Sequence, residues 1–479
     1  MPANHSQAVA EYSEADATLT REAIKGALEA KERWETLLFS DRAAIFLKAA
    51  DLLSTKYRYE VLAATILGQG KNAWQAEIDA AAELCDFWRF NCSFAEEIYA
   101  QQPRLHSQGI INRVEYRPLE GFVLAVAPFN FTAIGGNLAS SPALMGNVVL
   151  WKPSASAVHS NFLVYRVLQE AGLPPGVIQF LPGSPKEVVQ PALKHPDFAG
   201  LHFTGSTFVF QSLWKQISGN LESYRSYPRI VGETGGKNFH FIHESAEIPS
   251  AVNQTIRGAF EFQGQKCSAS SRLFVPDTVW PEFKSLLLAK MSEIKQGGPE
   301  NFTAFCGPVI NRAAFDKIKG YIEYGKENST LIFGGNCDDS KGFFIQPTIF
   351  ETENLDFKLM NEEIFGPVLT VYVYPSGEYE KYLKLVAETG QYALTGSIFA
   401  RDRESQTLAS EILRHAAGNF YINDKSTGAV VGQQPFGGSR LSGTNDKAGS
   451  AMNLIRWTSM RTIKENLLPL SDFRYPSNF

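Results

Sequence analysis

Four short apolar runs between residues 121 and 204 place the strongest constraint on what this chain can fold into. The runs are FVLAVA, NVVLWK, VIQFL and AGLHFT, and the segments between them are long enough to hold helices, such as Phe162–Ala171. Unbroken apolar strands that alternate with helices are typical of a parallel sheet covered on both faces. Residues 121–230 are therefore predicted to form a doubly wound nucleotide-binding domain.

A second set of alternating segments follows the first. Strand-like runs occur at Asn238–Ile242, Arg272–Val275, Pro367–Tyr374 and Thr395–Phe399, and they predict a second α/β domain. Ahead of both sets, residues 18–100 are predicted to be helical because apolar positions recur at helical spacing in segments such as AAIFLKAADLL.

Two strand-like segments lie outside both α/β sets. Ile110–Tyr116 mixes apolar and polar residues, and Leu454–Ile463 lies far from the first sheet in sequence. We expect them to form a ribbon that pairs with another element or another subunit, which favours a homo-oligomer.

Composition excludes several classes of protein. The 479 residues carry 45 basic and 50 acidic side chains, a net charge of −5, which provides no footprint for nucleic acid or an acidic membrane. Five scattered cysteines suggest neither a disulfide framework nor a zinc site, and no apolar run is long enough to span a bilayer. The first residues resemble neither a secretory signal nor a mitochondrial presequence. The expectation is a soluble enzyme.

The common nucleotide and metal motifs are absent. The sequence has no HExxH, CxxC or GxxxxGK[ST], and no GxGxxG follows a predicted strand. His240 and His243 lie in a strand-like run, where core or surface histidines are more common than metal ligands. Any nucleotide must therefore bind through another geometry.

Polar motifs follow several of the apolar runs, where open α/β sheets place their ligands. Asn130 lies between two phenylalanines, Lys152 and Ser154 lie in a turn that suits ribose or phosphate, and Gly205–Ser206 precedes a possible helix N-terminus. Each motif alone is weak, because an asparagine or glycine at a strand end is more often an ordinary turn residue.

A cysteine and a carboxylate add possible covalent chemistry. Cys267 lies among glycine and small polar residues in GQKCS, and Glu233 lies 34 positions earlier in ETGGK. A thiolate in such a loop can attack a carbonyl carbon, and a carboxylate can act as its base or activate water. The alternative for an isolated cysteine is an ordinary buried thiol.

Taken in order, PFNF, WKPS, FTGS, ETGGK, GQKCS, EEIFGP and PFGG resemble the aldehyde dehydrogenase superfamily over nearly the whole chain. Longer segments, including AEIDAAAELCDFWRFN, NFYINDKSTG and VGQQPFGGSRLSGTNDKAG, are similar to its Δ1-pyrroline-5-carboxylate dehydrogenase branch. The resemblance implies NAD-dependent oxidation of L-glutamate 5-semialdehyde to L-glutamate in proline catabolism. The alternatives are an enzyme for another aldehyde and a catalytically silent relative.

The resemblance also implies roles for individual residues. Cys267 matches the nucleophile that forms a thiohemiacetal and then a thioester, Asn130 matches an oxyanion-hole donor, and Glu233 matches the base that activates water. The resemblance implies no metal site. It implies that NAD is bound by Lys152, Ser154, Gly205, Ser206, Thr207, Glu363 and Phe365. It implies that the substrate is bound by Phe131, Ser268, Gly428, Ala429 and Phe436. Ala429 departs from the branch, which has a serine at this position.

The expected architecture is an aldehyde dehydrogenase-like α/β fold. The resemblance implies an NAD-binding domain in residues 1–103 and 121–235, a catalytic domain in 236–446, and a β-ribbon oligomerisation arm in 104–120 and 447–479. It also implies a homodimer or dimer-based oligomer that binds neither nucleic acid nor membrane. The location would be the mitochondrial matrix in a eukaryote and the cytoplasm otherwise, and the family has further residues ahead of the position of Met1.

Overall fold

A computed structural model describes residues 1–479. Its N-terminal part is helical, as predicted for residues 18–100, and the Asp16 carboxylate caps the first helix by accepting the N–H of Leu19. A π-helical segment at Glu77–Glu83 separates two of these helices. The helices are α1 (Ala17–Trp34), α2 (Phe39–Ser54), α3 (Arg58–Gln69), α4 (Ala73–Ala76), α5 (Leu84–Tyr99), α6 (Thr132–Leu144), α7 (Val158–Ala171), α8 (Pro185–Leu193), α9 (Thr207–Ser218), α10 (Ile248–Phe260), α11 (Trp280–Ser292), α12 (Arg312–Asn328), α13 (Lys358–Asn361), α14 (Tyr379–Thr389), α15 (Arg403–Ile412) and α16 (Ala451–Ile455).

The apolar runs predicted to be strands do form strands, and further strands occur elsewhere in the chain. They are β1 (Ile110–Pro118), β2 (Phe122–Val126), β3 (Val148–Lys152), β4 (Ile178–Phe180), β5 (Phe198–Thr204), β6 (Arg229–Glu233), β7 (Asn238–Ile242), β8 (Ser270–Pro276), β9 (Thr330–Phe333), β10 (Cys337–Asp338), β11 (Phe344–Ile345), β12 (Thr348–Thr352), β13 (Val368–Tyr374), β14 (Tyr392–Ala393), β15 (Thr395–Phe399), β16 (Asn419–Ile422), β17 (Ser439–Arg440) and β18 (Thr458–Asn466).

Two large sheets confirm the predicted α/β fold class. The first has the order β4-β3-β2-β5-β6 and is parallel throughout. The second has the order β16-β15-β7-β8-β13-β12-β9, in which only β9 runs antiparallel to its neighbour. Separate apolar clusters pack with each sheet, so that both central strand sets are buried on two faces.

A close backbone approach joins the first sheet to the region that follows β17. Glu233, the last residue of β6, forms an isolated antiparallel bridge with Gly443. Gly443 has a φ of 139°, and a Cβ there would collide with the carbonyl oxygen of Gly232. Only glycine fits this crossing, which holds residues 443–447 against the end of β6.

The two segments outside the sheets pair with each other. All nine residues of β1 face β18 in antiparallel register, from Ile110 opposite Asn466 to Pro118 opposite Thr458. The predicted strand Leu454–Ile463 is wrong in its first part, because residues 451–455 form helix α16 instead. Leu454 and Trp457 are fully buried in an apolar cluster, which anchors this turn before the strand begins.

No helix of this structure is both long enough and apolar enough to cross a lipid bilayer.

Candidate active site

Cys267 lies in the loop that precedes β8. A sharp turn before Cys267 and hydrogen bonds from Asn238 fix the conformation of this loop. Before it, Phe262 and Gln263 adopt positive φ values of 49° and 54°, which bulky residues rarely adopt and which turn the chain sharply out of α10. Beyond them, the Asn238 side-chain amide donates to the backbone oxygens of Cys267, at 2.7 Å, and Ala269, at 2.8 Å. The position of the thiol is therefore set by the second sheet.

Asn130 contacts this loop from the first sheet. It lies four residues after the end of β2, it is buried, and its Nδ2 donates to the backbone oxygen of Gln265 at 3.1 Å. A carboxamide has two N–H donors, so one remains for another acceptor. The structure thus brings together Asn130 and the loop of Cys267, which lie far apart in sequence.

Two carboxylates act electrostatically on the Cys267 thiol. Burial, together with the smaller effects of the nearby negative charges of Glu233 and Glu363, raises the pKa of Cys267 to about 12. The thiol is consequently neutral at physiological pH and must lose its proton to become a nucleophile.

Glu233 is suited to accept a proton. Burial raises its pKa well above the ordinary 4.5, with Lys447 opposing the shift and Asp446 adding to it. Its Oε2 is buried without any hydrogen-bond partner. A buried carboxylate with a raised pKa and a free oxygen is the arrangement required of a general base near neutral pH.

Glu363 faces the glycine pair that follows Glu233. Its Oε1 accepts the backbone N–H of Gly236 at 2.9 Å, and a Cβ at Gly235 would collide with its carboxylate. Burial raises the pKa of Glu363, opposed by the Gly236 hydrogen bond and by Lys317 and Lys237. These contacts fix the position of the Glu363 carboxylate beside the Gly235–Gly236 segment.

Phe365 completes this corner of the site. It has a φ of 59°, and its ring packs edge-on against Phe129 at a centroid distance of 5.8 Å. Phe365 therefore joins the EEIFGP segment to the PFNF segment that carries Asn130.

The remaining candidate cofactor residues gather at the carboxyl ends of neighbouring strands. Lys152 ends β3, and burial lowers its pKa. Ser206 caps α9 by accepting the N–H of Val209, while the Gly205 N–H donates to the backbone oxygen of Glu233 at 3.2 Å. Ser154 and Thr207 lie in the same two turns, after β3 and at the start of α9. Since β3, β2, β5 and β6 are adjacent, these groups share one edge of the sheet.

The candidate substrate residues form two groups. Ser268 Oγ lies 2.7 Å from Thr427 Oγ1, which precedes Gly428 and the half-buried Ala429. Phe436 forms a backbone bridge with Ala448. Phe131, in contrast, faces the helical block, with its ring 4.1 Å from the Lys71 ammonium.

Sequence reasoning missed several residues at this site. Lys317 donates to the backbone oxygen of Glu363 at 3.2 Å, and His240 accepts the N–H of Ser426 at 3.1 Å. Burial lowers the pKa of His240 to about 3, so it serves as a neutral acceptor that orients the loop before Ala429. The sequence shows only that His240 lies in a strand-like run. That pattern does not predict a hydrogen bond with Ser426, which lies 186 positions later.

A cluster of charges buried in the helical block was also missed. Lys71 and Asp79 form an ion pair at 2.6 Å with no exposed side-chain area. Burial, reinforced by Asp79, raises the pKa of the neighbouring Glu83 to about 8. The signal was present in the sequence, because Asp79 and Glu83 interrupt the apolar face of a predicted helix.

The site lacks the groups that would bind a metal ion. No cluster of three or more histidine, cysteine, aspartate or glutamate side chains is arranged to hold one. Its polar groups are instead an ammonium, hydroxyls, a carboxylate and a helix N-terminus.

Comparison with known proteins agrees with this arrangement. The family model described as the aldehyde dehydrogenase family matches residues 1–463. The mitochondrial Δ1-pyrroline-5-carboxylate dehydrogenase of Emericella nidulans is 58% identical over 484 residues, covering 100% of this chain and 84% of that protein. The mitochondrial human enzyme of the same name is 52% identical, covering 99% and 84%.

Solved structures with the same fold cover nearly the whole chain. The Δ1-pyrroline-5-carboxylate dehydrogenase of Mycobacterium tuberculosis bound with NAD superposes with a TM-score of 0.96 at 47% identity, covering 100% of this chain and 88% of that one. The 1-pyrroline-5-carboxylate dehydrogenase of Thermus with bound NAD gives 0.92 at 33% identity, covering 97% and 89%. Because the family model matches 463 residues and relatives share more than half of their residues with it, this chain belongs to the aldehyde dehydrogenase family.

Proposed function

We propose that this chain catalyses the NAD-dependent oxidation of L-glutamate 5-semialdehyde, the open form of Δ1-pyrroline-5-carboxylate, to L-glutamate in proline catabolism. The observation that carries the proposal is the convergence of Asn130, Glu233 and Glu363 around the Cys267 loop. The similarity to enzymes named for this substrate supports the choice of aldehyde.

The first half of the reaction uses Cys267. The thiol loses its proton, and Sγ attacks the aldehyde carbon to form a thiohemiacetal. The free N–H of the Asn130 carboxamide and the backbone N–H of Cys267 donate to the developing oxyanion. Bound NAD supplies the chemistry of a hydride acceptor. Loss of hydride from the tetrahedral carbon leaves a thioester on Cys267.

The second half uses Glu233. Its carboxylate accepts a proton from water, and the hydroxide attacks the thioester carbon. The carbon–sulfur bond then breaks, releasing glutamate and the Cys267 thiolate, which regains a proton from Glu233 to restore the thiol. Because burial raises the pKa of Glu233, its carboxylate binds a proton more readily than that of an ordinary glutamate and can accept the one that water releases.

The residues at the edge of the first sheet suit a dinucleotide. Lys152 and the N-terminus of α9 favour phosphate, and hydroxyls and carboxylates suit the ribose diols. We assign Lys152, Ser154, Gly205, Ser206 and Thr207 to the adenosine and pyrophosphate half of NAD. Glu363 and Phe365 are assigned to the nicotinamide half because they adjoin the Cys267 loop.

The substrate carboxylate needs donors when it leaves water. We assign this role to Ser268 and to the backbone N–H groups of Gly428 and Ala429, since the Ser268–Thr427 contact brings these segments together. Phe131 and Phe436 are assigned to the aliphatic part of the substrate.

The proposal extends to organisation and location. Residues 1–103 and 121–235 would bind NAD, residues 236–446 would provide the catalytic domain, and residues 104–120 and 447–479 would form an oligomerisation arm in a homodimer or larger assembly. Several relatives named as mitochondrial support a mitochondrial location, whereas the Agaricus and Schizosaccharomyces names carry no location.

One assay tests the activity. NADH formation with Δ1-pyrroline-5-carboxylate should exceed NADH formation with propanal, because only the former provides a carboxylate for Ser268 and its loop. Faster turnover of propanal would favour the second candidate, an enzyme for another aldehyde, which Ala429 alone supports. No turnover with either aldehyde would indicate a silent relative.

A further inference from the structure

The buried ion pair Lys71–Asp79 lies outside the groups assigned to the reaction. Its 2.6 Å contact is fully removed from solvent. Burying two charges costs several kcal/mol per ion in desolvation, so such a pair is weak evidence for stability alone. The contacts that the two side chains make with other elements suggest a different role.

Asp79 caps a helix from a distant part of the chain. Its Oδ2 accepts the N–H of Thr132 at 3.0 Å, and its Oδ1 accepts the N–H of Ala133 at 2.9 Å. These are the first two residues of α6, whose N-cap residue Phe131 provides no side-chain hydrogen bond. Asp79 therefore fixes the start of α6, directly after Asn130.

The Lys71 ammonium contacts two aromatic rings, one next to Asn130 and one in the turn that leads to Cys267. Its Nζ lies 4.1 Å from the centre of the Phe131 ring and 4.6 Å from the centre of the Phe262 ring. Phe131 follows Asn130, and Phe262 begins the positive-φ turn that leads to Cys267. One ammonium thus joins the segment of the oxyanion donor to the segment of the nucleophile.

Two further features tie this pair to the same loops. Asp79 lies within the π-helical segment Glu77–Glu83, and such segments occur frequently at functional sites. The Gln263 side-chain amide donates to the backbone oxygen of Gly70, the residue before Lys71, at 3.2 Å. The pair is therefore connected to both loops by side-chain and backbone contacts.

We propose that Lys71 and Asp79 are positioning residues that set the placement of the Asn130 carboxamide relative to the Cys267 sulfur. The inference rests on the proposed function, because it requires those two groups to act on the same aldehyde carbon. Neither Lys71 nor Asp79 touches the reacting atoms. They act through the start of α6 and through the rings of Phe131 and Phe262.

A double-mutant comparison separates positioning from stability. Asp79→Asn and Lys71→Met each leave an unpaired buried partner and should lower the melting temperature, whereas the combined variant removes both charges and should regain most of that loss. The burst of NADH in a single turnover should remain about 10- to 100-fold slower in the combined variant, because misplacement of catalytic groups by about 1 Å has effects of this size.

Three controls accompany the burst rate. The fold reduction should be similar for glutamate semialdehyde and propanal, because both present the same aldehyde oxygen to Asn130, and the affinity for NAD should be unchanged. Lys284→Met combined with Glu351→Gln removes another ion pair, at 2.9 Å, and should leave the burst rate unchanged.

The inference is overturned if the combined variant regains both its melting temperature and the wild-type burst rate, since the pair would then be structural only. If that variant does not fold, the Asp79→Asn variant provides the test. Faster hydrogen exchange at the amides of Thr132 and Ala133, together with an unchanged burst rate, would also overturn the inference. Failure of the proposed function would instead appear in the wild-type enzyme, as no NADH with either aldehyde.

Discussion

Ser268 Oγ and Thr427 Oγ1 lie 2.7 Å apart in a buried contact that spans 159 positions of the sequence. The contact joins the residue after the nucleophile to the turn before Gly428 and Ala429. Ser426 strengthens the connection, because its hydroxyl donates to the backbone oxygen of Ser268 at 3.1 Å. The direction of the Ser268 hydroxyl therefore depends on a second loop of the catalytic region.

Replacing Thr427 should weaken recognition of the charged substrate. Thr427→Val keeps the shape but removes the hydroxyl, so Ser268 loses its partner, and we expect KM for glutamate semialdehyde to rise about 3- to 10-fold, as for loss of one hydrogen bond. KM for propanal should not change. Thr370→Val is a matched control, because Thr370 Oγ1 is buried without a partner. A similar rise for propanal would place the effect on the nucleophile instead.

Cys267→Ala should abolish the chemistry without preventing cofactor binding. The substitution removes the sulfur that is proposed to form the covalent bond to carbon, so turnover should fall by several orders of magnitude. NAD affinity, measured by calorimetry, should stay near the wild-type value because the assigned cofactor groups lie on other elements. Near-normal turnover would refute the assignment of Cys267 as nucleophile.

The two halves of the reaction should respond differently to Glu233→Gln. If Glu233 chiefly activates water, the variant should show a rapid burst of NADH followed by a slow steady state, because the thioester forms but is not hydrolysed. In the wild type, the steady-state rate should rise with pH through the raised pKa of Glu233. Loss of the burst itself would assign Glu233 to activation of the thiol.

Stability provides an independent measure of the same carboxyl group. The folded-state pKa of Glu233 lies above its ordinary 4.5, so folding favours the protonated form. Its stabilising contribution is fully present below the unfolded pKa and is lost as the pH rises through the folded pKa. The melting temperature of Glu233→Gln should therefore exceed that of the wild type increasingly as the pH rises. Parallel curves for the two proteins would contradict the raised pKa.

The sequence predicted the strands well and the long-range contacts poorly. The predicted strands are apolar runs bounded by turns, a local property that the sequence displays, whereas the more polar strands β6 and β16 were not predicted. The contacts of Lys71 with Phe131 and of His240 with Ser426 depend on how the sheets and helices pack, and neither residue has neighbours in sequence that indicate its partner. The same limit explains the error at Leu454, whose burial against the first sheet favours a helical turn.

The ribbon formed by β1 and β18 should mediate assembly. It is a two-stranded sheet that joins neither large sheet, and alternate residues of β1 are exposed. Two-stranded ribbons are marginal alone and gain stability when further strands or another surface cover them. Deleting Arg461–Phe479 should yield a monomer or an insoluble chain, as measured by light scattering. A truncated protein that remains dimeric would exclude the ribbon as the interface.

Ala429→Ser should improve binding of glutamate semialdehyde without changing its chemistry. Ala429 is half-buried beside Gly428, whose φ of 90° turns the chain at the segment joined to Ser268. A hydroxyl there would add one donor to the substrate carboxylate, a contribution of about 1–2 kcal/mol for a hydrogen bond to a charged group. KM should fall roughly 5- to 30-fold with little change in kcat, because the carboxylate is bound alike in the ground and transition states. Propanal has no carboxylate and should not respond. Equal improvement for both aldehydes, or for neither, would show that this loop does not hold the carboxylate and would favour a different aldehyde as the substrate.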